Sequence, residues 1–271
     1  MKTRTLTALV LAPVAIALIL FVPTLLFAVI TGAVFLYAIW EWTRMLGLRD
    51  AGLRGAVVAA HGAAMVALWT LRGGPVWWVV ILAGVAWWPV AAFWLRHFSF
   101  GVAPTRDHVA LKIAAGFFTV VPAWCGLLQV HGSADHGPWW TLFGLMLVWV
   151  ADSGAYLAGS RWGTTKLAPR ISPGKTWAGV YGAVAASAVV GVIGAWLLGL
   201  RGMPLAGIFV LAMLTVLASI VGDLFESLIK RHANVKDSGD LFPGHGGMFD
   251  RLDSVFAALP VWAAGLALLR A

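Results

Sequence analysis

The feature that most constrains this chain is a series of apolar runs, each about as long as a helix that crosses a lipid bilayer. A spanning helix needs about 20 mostly apolar residues, because the hydrocarbon layer is about 30 Å thick. Only 11% of the residues are charged and 61% are hydrophobic, which excludes a soluble globular domain. The sequence therefore predicts an all-α, polytopic integral membrane protein with a single membrane-embedded domain over residues 1–271. The nine predicted spans are approximately 6–22, 24–43, 55–71, 75–95, 109–130, 139–160, 177–199, 204–229 and 254–270.

The first apolar run follows Lys2 and Arg4, so its beginning is similar to a signal peptide. A second apolar run starts directly after Pro23, without a polar segment that could begin a mature domain. We therefore interpret the first run as an uncleaved span, and Pro23 as the start of the next helix.

Basic residues are distributed very unequally between the two sides of the predicted bundle. Of the 19 lysines and arginines, 16 lie on the side of the amino terminus and three, Arg72, Arg201 and Arg270, lie on the other. The positive-inside rule makes the first side cytoplasmic, which predicts a cytoplasmic amino terminus and an external carboxyl terminus in a bacterial inner membrane. The basic residues form no continuous face, so we expect no nucleic acid partner. Both long polar loops, 161–176 and 230–253, lie on the cytoplasmic side, where we expect the chemistry.

Some acidic residues lie in or at the ends of the apolar runs, where a carboxylate is costly and usually faces the interior of the bundle. Glu41 precedes Arg44 by three residues, and we favour an ion pair between them on one helix face. Asp152 has no basic residue closer in sequence than Arg161. It therefore needs a partner from another helix, or a cation.

The end of the eighth predicted span has a polar face. Asp223, Glu226, Ser227 and Lys230 are spaced i, i+3, i+4 and i+7, so they share one side of the helix. Two interpretations are open. The face either neutralises itself at the membrane interface or forms part of a site.

The loop that follows has the residue types of a phosphate- and metal-binding segment. Its glycine-rich turn at 243–247 can approach an anion closely, and it precedes a helix amino terminus, where the dipole favours negative charge. Asp250 and Asp253 are spaced i, i+3 in the first turn of the ninth span, an arrangement that suits Mg²⁺. The alternative is that both carboxylates simply complement the helix dipole.

The other cytoplasmic loop ends in Gly174-Lys175-Thr176, the residue types that end a P-loop. Pro169 stands where that motif needs glycine, and the sequence indicates no preceding strand, so we reject a P-loop. The basic, hydroxyl-bearing loop suits either anionic lipid headgroups or the phosphates of a substrate.

The segment 227–253 resembles the signature of the phosphatidate cytidylyltransferase family, also called CDP-diacylglycerol synthases. It has Ser, Lys-Arg, Lys-Asp, His-Gly-Gly and Asp-Arg-x-Asp at the spacing of that family. The resemblance extends to the strings at 152–156 and 172–177, and to the length and the multi-span layout. One departure is Ala178, where relatives commonly have Glu. A role that this Glu has in relatives cannot be assigned to Ala178 of this chain.

The resemblance implies a membrane nucleotidyltransferase of phospholipid synthesis. Such an enzyme condenses CTP with phosphatidic acid to give CDP-diacylglycerol and pyrophosphate, and we expect no covalent enzyme intermediate. The expected cofactor is Mg²⁺, with room for a second cation in a two-metal site. Membrane lipid is the surrounding partner, and analogy with the family adds a homodimer through faces of small residues.

The resemblance also leads to hypothetical roles for individual residues. Asp223, Asp250 and Asp253 are expected to hold the metal, and together with Lys230 and Arg231 they form the expected catalytic set. The expected substrate-binding residues, which contact phosphates or lie beside the substrates, are Asp152, Ser172, Lys175, Thr176, Lys230, Arg231, Lys236, His245, Gly246, Gly247 and Arg251.

Two other functions compete with this interpretation. A CTP-dependent lipid kinase would use similar phosphate-binding residues but would transfer the γ-phosphate. An ion- or proton-coupled transporter would use intramembrane carboxylates. It would also have inverted repeats and broken helices at the membrane midplane, whereas the two halves of this sequence show no similarity.

Overall fold

The computed structural model describes residues 2–242 and 246–270, and the side chains of residues 12–242 and 246–269. Within these residues the chain forms nine helices and one two-stranded antiparallel sheet, in agreement with the predicted all-α fold. The elements are α1 (Lys2–Phe21), α2 (Thr24–Met45), α3 (Ala51–Thr70), α4 (Pro75–Arg96), α5 (Arg106–His131), α6 (Gly137–Trp162), β1 (Lys166–Ala168), β2 (Ser172–Thr176), α7 (Trp177–Leu197), α8 (Gly202–His232) and α9 (Phe249–Arg270).

In the described part of the chain, eight helices, α2 to α9, are long and apolar enough to cross a membrane. The side chains of α1 are described from Ala12 onward, and the stretch Ala12–Phe21 is apolar. The helices coincide with the nine predicted spans to within a few residues at most boundaries. The chain is therefore an integral membrane protein with many spanning helices.

The carboxyl end of α8 is tied to two other segments at one face of the bundle. Arg231 donates a hydrogen bond through Nε to the carbonyl oxygen of Ile171, between the two strands, at 3.0 Å. The His232 ring nitrogen Nε2 lies 2.7 Å from the carbonyl oxygen of Phe98, just beyond α4. These contacts bring the hairpin, the segment after α4 and the end of α8 to the same face, which we call the site face. It is the side that the basic residues predict to be cytoplasmic.

Glycines bring two pairs of helices close together near this face. A Cβ atom on Gly154 of α6 would lie 2.6 Å from the carbonyl oxygen of Gly182 on α7. A Cβ atom on Gly222 of α8 would lie 2.5 Å from the carbonyl oxygen of Asp253 on α9. Neither position accommodates a side chain, so small residues allow the backbones to pack closely. The second contact places Asp223 beside the beginning of α9.

Aromatic rings from three helices form the core beneath the site face. The ring of Trp42 on α2 stacks on that of Phe249 with centroids 5.1 Å apart, and on that of Phe225 with centroids 6.1 Å apart. Such ring pairs stabilise a core beyond the area that they bury. The indole nitrogen of Trp42 also donates to the carbonyl oxygen of Lys112 at 2.9 Å. This core holds the start of α9 against α2 and α8.

The loop predicted at 161–176 contains β1 and β2, which form a hairpin that the sequence does not indicate. The strands have three and five residues and show no alternation of buried and exposed positions, so the period-two signal is missing. Lys166 pairs with Thr176, and Ala168 with Ser172. The second strand leads directly into α7, where the Thr176 side chain accepts a hydrogen bond from the amide of Gly179 at 3.2 Å.

The other predicted loop, at 230–253, is shorter than expected because the flanking helices extend into it. α8 continues to His232 and α9 already begins at Phe249. Lys230 and Arg231 therefore lie in the last turn of α8, and Asp250 lies in the first turn of α9. A rigid helical backbone thus carries these charged side chains.

Candidate active site

Three carboxylates meet where α8 and α9 approach each other. Asp223 and Glu226 on α8 and Asp253 on α9 each offer an oxygen, and these oxygens lie within 4.8 Å of one another. Glu226 is buried, with 1% of its surface exposed, and its Oε1 atom has no hydrogen-bond partner in the described structure. We call Asp223, Glu226 and Asp253 the acidic cluster.

The acidic cluster fits a divalent cation. Three carboxylates in close contact repel one another, and an unpartnered carboxylate oxygen in a buried position is costly unless a cation or a proton binds it. Oxygen donors of this kind suit Mg²⁺, which is typically held by one or two carboxylates together with substrate phosphates. The residues present therefore fit the cofactor that the sequence predicts.

Lys230 links the acidic cluster to the first turn of α9. Its ammonium nitrogen Nζ lies 2.7 Å from Oε2 of Glu226, one turn earlier on α8. The same nitrogen lies 2.7 Å from Oδ1 of Asp250. All three side chains are largely buried, and a buried charge that loses its partner is strongly destabilising. Lys230 therefore fixes the relative positions of these two carboxylates.

Asp250 was predicted as a metal ligand, but protein donors occupy both of its oxygens. Oδ1 pairs with Lys230. Oδ2 accepts hydrogen bonds from the amide of Ser238 at 2.9 Å and from the amide of Gly247 at 2.7 Å, and it lies 2.9 Å from the Ser238 hydroxyl oxygen. The carboxylates that converge as a metal-ligand set are instead those of Asp223, Glu226 and Asp253. Glu226 therefore replaces Asp250 in the candidate set of metal ligands, because Asp250 points toward the loop before α9.

The predicted ion pair between Glu41 and Arg44 is wrong. Glu41 is 4% exposed, and its carboxylate accepts hydrogen bonds from the amides of Met248 at 3.0 Å and Phe249 at 2.8 Å. Arg44 instead pairs with Asp240 at 3.3 Å on the surface. Spacing along one helix could not reveal this, because the two amides that Glu41 accepts from lie more than 200 residues away in sequence.

The amides at the beginning of α9, predicted to face a substrate phosphate, donate to carboxylates of the protein. The amide of Gly247 donates to Asp250, and the next two amides donate to Glu41. Gly246 has φ +78°, a conformation that favours glycine, and its carbonyl oxygen accepts from the amide of Phe242 at 3.0 Å. His245 lies outside the described residues.

The hairpin contributes Lys175, which forms an ion pair with Asp223 of the acidic cluster. Lys175 was predicted to contact phosphate, and the structure places its ammonium group at the cluster. Thr176 is buried and its hydroxyl oxygen caps α7, while Ser172 is half-buried on the same strand. Arg231 uses its Nε atom to hold the hairpin and is otherwise exposed.

Two cavities open beside the acidic cluster. The first, of about 320 Å³, is mostly apolar and lies between α6, α7, α8 and the hairpin. The second, of about 340 Å³, is polar and is lined by charged residues of α8, α9 and the loop between them. Asp152, Ala155 and Asp223 line both cavities, so the two spaces adjoin at the cluster. Asp152, the carboxylate without a local partner in sequence, therefore lies at this junction.

The polar cavity is acidic overall. Its lining includes five aspartates but only two basic side chains, those of Lys230 and Arg251. Arg251 is exposed and has no ion-pair partner among the described residues, so it can reach a bound anion. Lys236 is also exposed but lines neither cavity. An anionic ligand in this cavity would need cations beyond those two side chains.

Sequence reasoning missed three residues of this arrangement. Glu41 and Ser238 connect α2 to the loop before α9, and Glu226 belongs to the acidic cluster. A signal was present for Glu226, because it shares a helix face with Asp223. For Glu41 the only signal was a carboxylate near the end of an apolar run, and for Ser238 there was none.

The sequence model of the Cytidylyltransferase family matches residues 2–269. A relative from Haemophilus influenzae named phosphatidate cytidylyltransferase is 37% identical over 284 residues, which cover 97% of each chain. One of the same name from Pseudomonas aeruginosa is 40% identical over 269 residues, which cover 97% of this chain and 96% of the relative. A third from Staphylococcus epidermidis is 32% identical over 96% of this chain and 97% of its own length. This chain therefore belongs to the cytidylyltransferase family of membrane nucleotidyltransferases.

Proposed function

We propose that this protein transfers the cytidylyl group of CTP to phosphatidic acid at the cytoplasmic face of the membrane, giving CDP-diacylglycerol and pyrophosphate. The relatives that match almost the whole chain carry the name of this activity. The observation that carries the proposal is the junction of the apolar and the polar cavity at Asp152 and Asp223. A lipid phosphate and a nucleoside triphosphate can react only at a site that both can reach, because one substrate is in the membrane and the other is in water.

In this proposal the apolar cavity receives the glycerol end of phosphatidic acid. Its walls come from α6, α7 and α8, and they include Val180, Ala183 and Ile220. Lys175 lines the same cavity and pairs with Asp223. The lipid phosphate would therefore find a cation where the apolar wall ends. Ser172 and Thr176, on the same strand, are proposed as further phosphate contacts.

The polar cavity receives the triphosphate of CTP. Mg²⁺ held by Asp223, Glu226 and Asp253 would neutralise the charge that accumulates when two phosphate groups meet. Arg251 is proposed to contact the triphosphate directly, with Arg231 and Lys236 at the outer edge. Lys230 and Asp250 hold each other and so fix the first turn of α9. A second cation and a contact from His245 to the leaving pyrophosphate remain part of the proposal.

The reaction needs one bond change at the α-phosphorus of CTP. An oxygen of the phosphatidate phosphate forms a bond to this phosphorus, and the bond from the α-phosphorus to the oxygen that bridges the α- and β-phosphates breaks. The bridging oxygen leaves with pyrophosphate. The phosphomonoester is already largely ionised at neutral pH, so no enzyme group has to remove a proton from it. The residues' task is to position two anions and to balance their charge.

The test is incubation of the purified protein with phosphatidic acid, Mg²⁺ and CTP labelled on either the α- or the γ-phosphate. The proposal predicts that label enters lipid from the α position alone. Label that enters only from the γ position would contradict it and indicate a lipid kinase. Labelled lipid from neither position, with ion flux in proteoliposomes, would indicate a transporter.

A further inference from the structure

Glu41 is buried and charged, yet it belongs neither to the acidic cluster nor to the polar cavity. It lies on α2, and its Oε1 atom accepts a hydrogen bond from the amide of Met248 at 3.0 Å. Its Oε2 atom accepts from the amide of Phe249 at 2.8 Å and from the hydroxyl of Ser238 at 2.9 Å. A carboxylate from one helix thus receives three donors from another segment.

These contacts make Glu41 a cap for α9 supplied from a distant helix. The first amides of any helix have no partner within the helix, and a local side chain usually accepts them. At α9, which begins at Phe249, the carboxylate of Glu41 takes this place. It also supplies a negative charge where the helix dipole favours one. The position that binds anions in many proteins is thus filled by the protein itself.

Glu41 is connected to the acidic cluster through an unbroken series of polar contacts. The hydroxyl of Ser238 lies 2.9 Å from Glu41 and 2.9 Å from Oδ2 of Asp250. Asp250 then pairs with Lys230, which pairs with Glu226, at 2.7 Å in each case. A displacement of the Glu41 carboxylate would therefore move the start of α9 and alter the geometry around Glu226.

Two glycines leave the space that Glu41 occupies. A Cβ atom on Gly239 or on Gly247 would collide with the carboxylate oxygens of Glu41. On Gly247 it would also collide with the hydroxyl oxygen of Ser238. The loop between α8 and α9 is therefore shaped to enclose this carboxylate, which supports a specific role for it.

We propose that Glu41 is a positioning residue that sets the first turn of α9, and through it the arrangement of the acidic cluster. The inference rests on the proposed function where it predicts effects on turnover. Glu41 does not line the apolar cavity, so its loss should alter metal and nucleotide use rather than the affinity for lipid. Residues that orient metal ligands from behind typically account for about 10–100-fold in metal affinity or activity.

The test compares Glu41→Gln with Arg44→Gln, one turn further along α2. Gln keeps the shape of Glu41 but removes the charge and one acceptor oxygen. Arg44→Gln removes only the surface pair with Asp240. Glu41→Gln should lower kcat about 10–100-fold and raise the Mg²⁺ concentration for half-maximal activity, with the KM for phosphatidate unchanged. Arg44→Gln should behave like the parental protein.

Amide hydrogen exchange of residues 246–252 provides a readout that does not depend on activity. Exchange should be faster in Glu41→Gln and unchanged in Arg44→Gln. If the parental protein fails to use CTP and phosphatidate, the proposed function is wrong, while the exchange measurement still decides the role of Glu41. Ser238→Ala removes one hydroxyl from the series of polar contacts between Glu41 and Glu226, and it should shift the Mg²⁺ dependence in the same direction as Glu41→Gln. This variant replaces Glu41→Gln in the test if Glu41→Gln does not fold. The inference would be overturned if Glu41→Gln and Ser238→Ala both kept the amide exchange and the Mg²⁺ dependence of the parental protein. It would also be overturned if the KM for phosphatidate rose in Glu41→Gln by as much as the Mg²⁺ requirement.

Discussion

Lys175 on β2 forms an ion pair with Asp223 on α8. The pair joins the loop at 161–176 to the polar face of α8, and it lies at the junction of the apolar and the polar cavity. The side chains are 24% and 31% exposed, so water screens the pair less than it would screen one on the open surface. A phosphate that enters the junction would meet Lys175, and a cation would meet Asp223.

Lys175→Ala should therefore lower kcat/KM at least about tenfold, the scale of a lost hydrogen bond to a charged group. The matched control is Lys166→Ala, because Lys166 is exposed on the other strand of the same hairpin. Arg72→Ala tests the opposite side of the bundle, where Arg72 donates to the carbonyl oxygen of Leu128 at 3.2 Å. Both controls should keep parental activity per folded molecule. Equal losses at Lys175 and Arg72 would show that packing, not phosphate binding, explains the effect.

The metal proposal distinguishes Asp253 from Asp250. Asp253→Asn should fold and extract into detergent normally, and lower turnover at least about 100-fold, the scale of lost electrostatic stabilisation in a transition state. Excess Mg²⁺ should partly restore it if the defect is metal affinity. Asp250→Asn should lower turnover by a similar factor, and high Mg²⁺ should not restore it, because Asp250 holds Lys230 and the loop before α9. Parental turnover and Mg²⁺ dependence in both variants would place the metal elsewhere.

The apolar cavity makes a separate prediction about the lipid. Val180→Phe adds a ring inside the cavity, and it should raise the KM for phosphatidate several-fold while leaving the KM for CTP unchanged. Val189→Phe is the matched control, because Val189 is on the same helix and 58% exposed. A rise in both KM values with Val180→Phe, or the same rise with Val189→Phe, would argue against a lipid site in this cavity.

The sequence predicts the helices well because a span has a length and a composition that can be counted. Most boundaries agree to within a few residues, and Asp223 and Asp253, which the resemblance assigns to one metal site, lie close together at the polar ends of α8 and α9. The hairpin could not be found in this way, because its strands are short and show no alternation of buried and exposed residues.

The partners of individual carboxylates could not be predicted, since they depend on which helices are neighbours. Glu41 has a basic residue three positions away, yet the burial of its end of α2 against α9 directs it to two amides. Asp250 is close in sequence to Asp253, yet one points toward the loop and the other into the acidic cluster. Periodicity indicates which side chains share a face, whereas tertiary packing decides what they contact.

The orientation of the bundle is a further prediction. The 16 basic residues on the side of the site face, against three on the other, predict a cytoplasmic amino terminus and an external carboxyl terminus. A phosphatase reporter fused after residue 270 should be active, since it folds only outside the cytoplasm. A fluorescent reporter that matures only in the cytoplasm should stay dark at the same position. The reverse pattern would place the site face outside the cytoplasm.

The central claim is that CTP donates its cytidylyl group, which includes the α-phosphate, to a membrane lipid at the cytoplasmic face. The most direct measurement adds α-labelled CTP and phosphatidate to sealed, inverted vesicles from cells that overproduce the protein, with right-side-out vesicles in parallel. Vesicles from cells that overproduce Asp253→Asn give the background of the host. The account predicts labelled lipid well above this background in inverted vesicles and none above it in right-side-out vesicles. Labelling only in right-side-out vesicles, or none above background in either, would contradict the account.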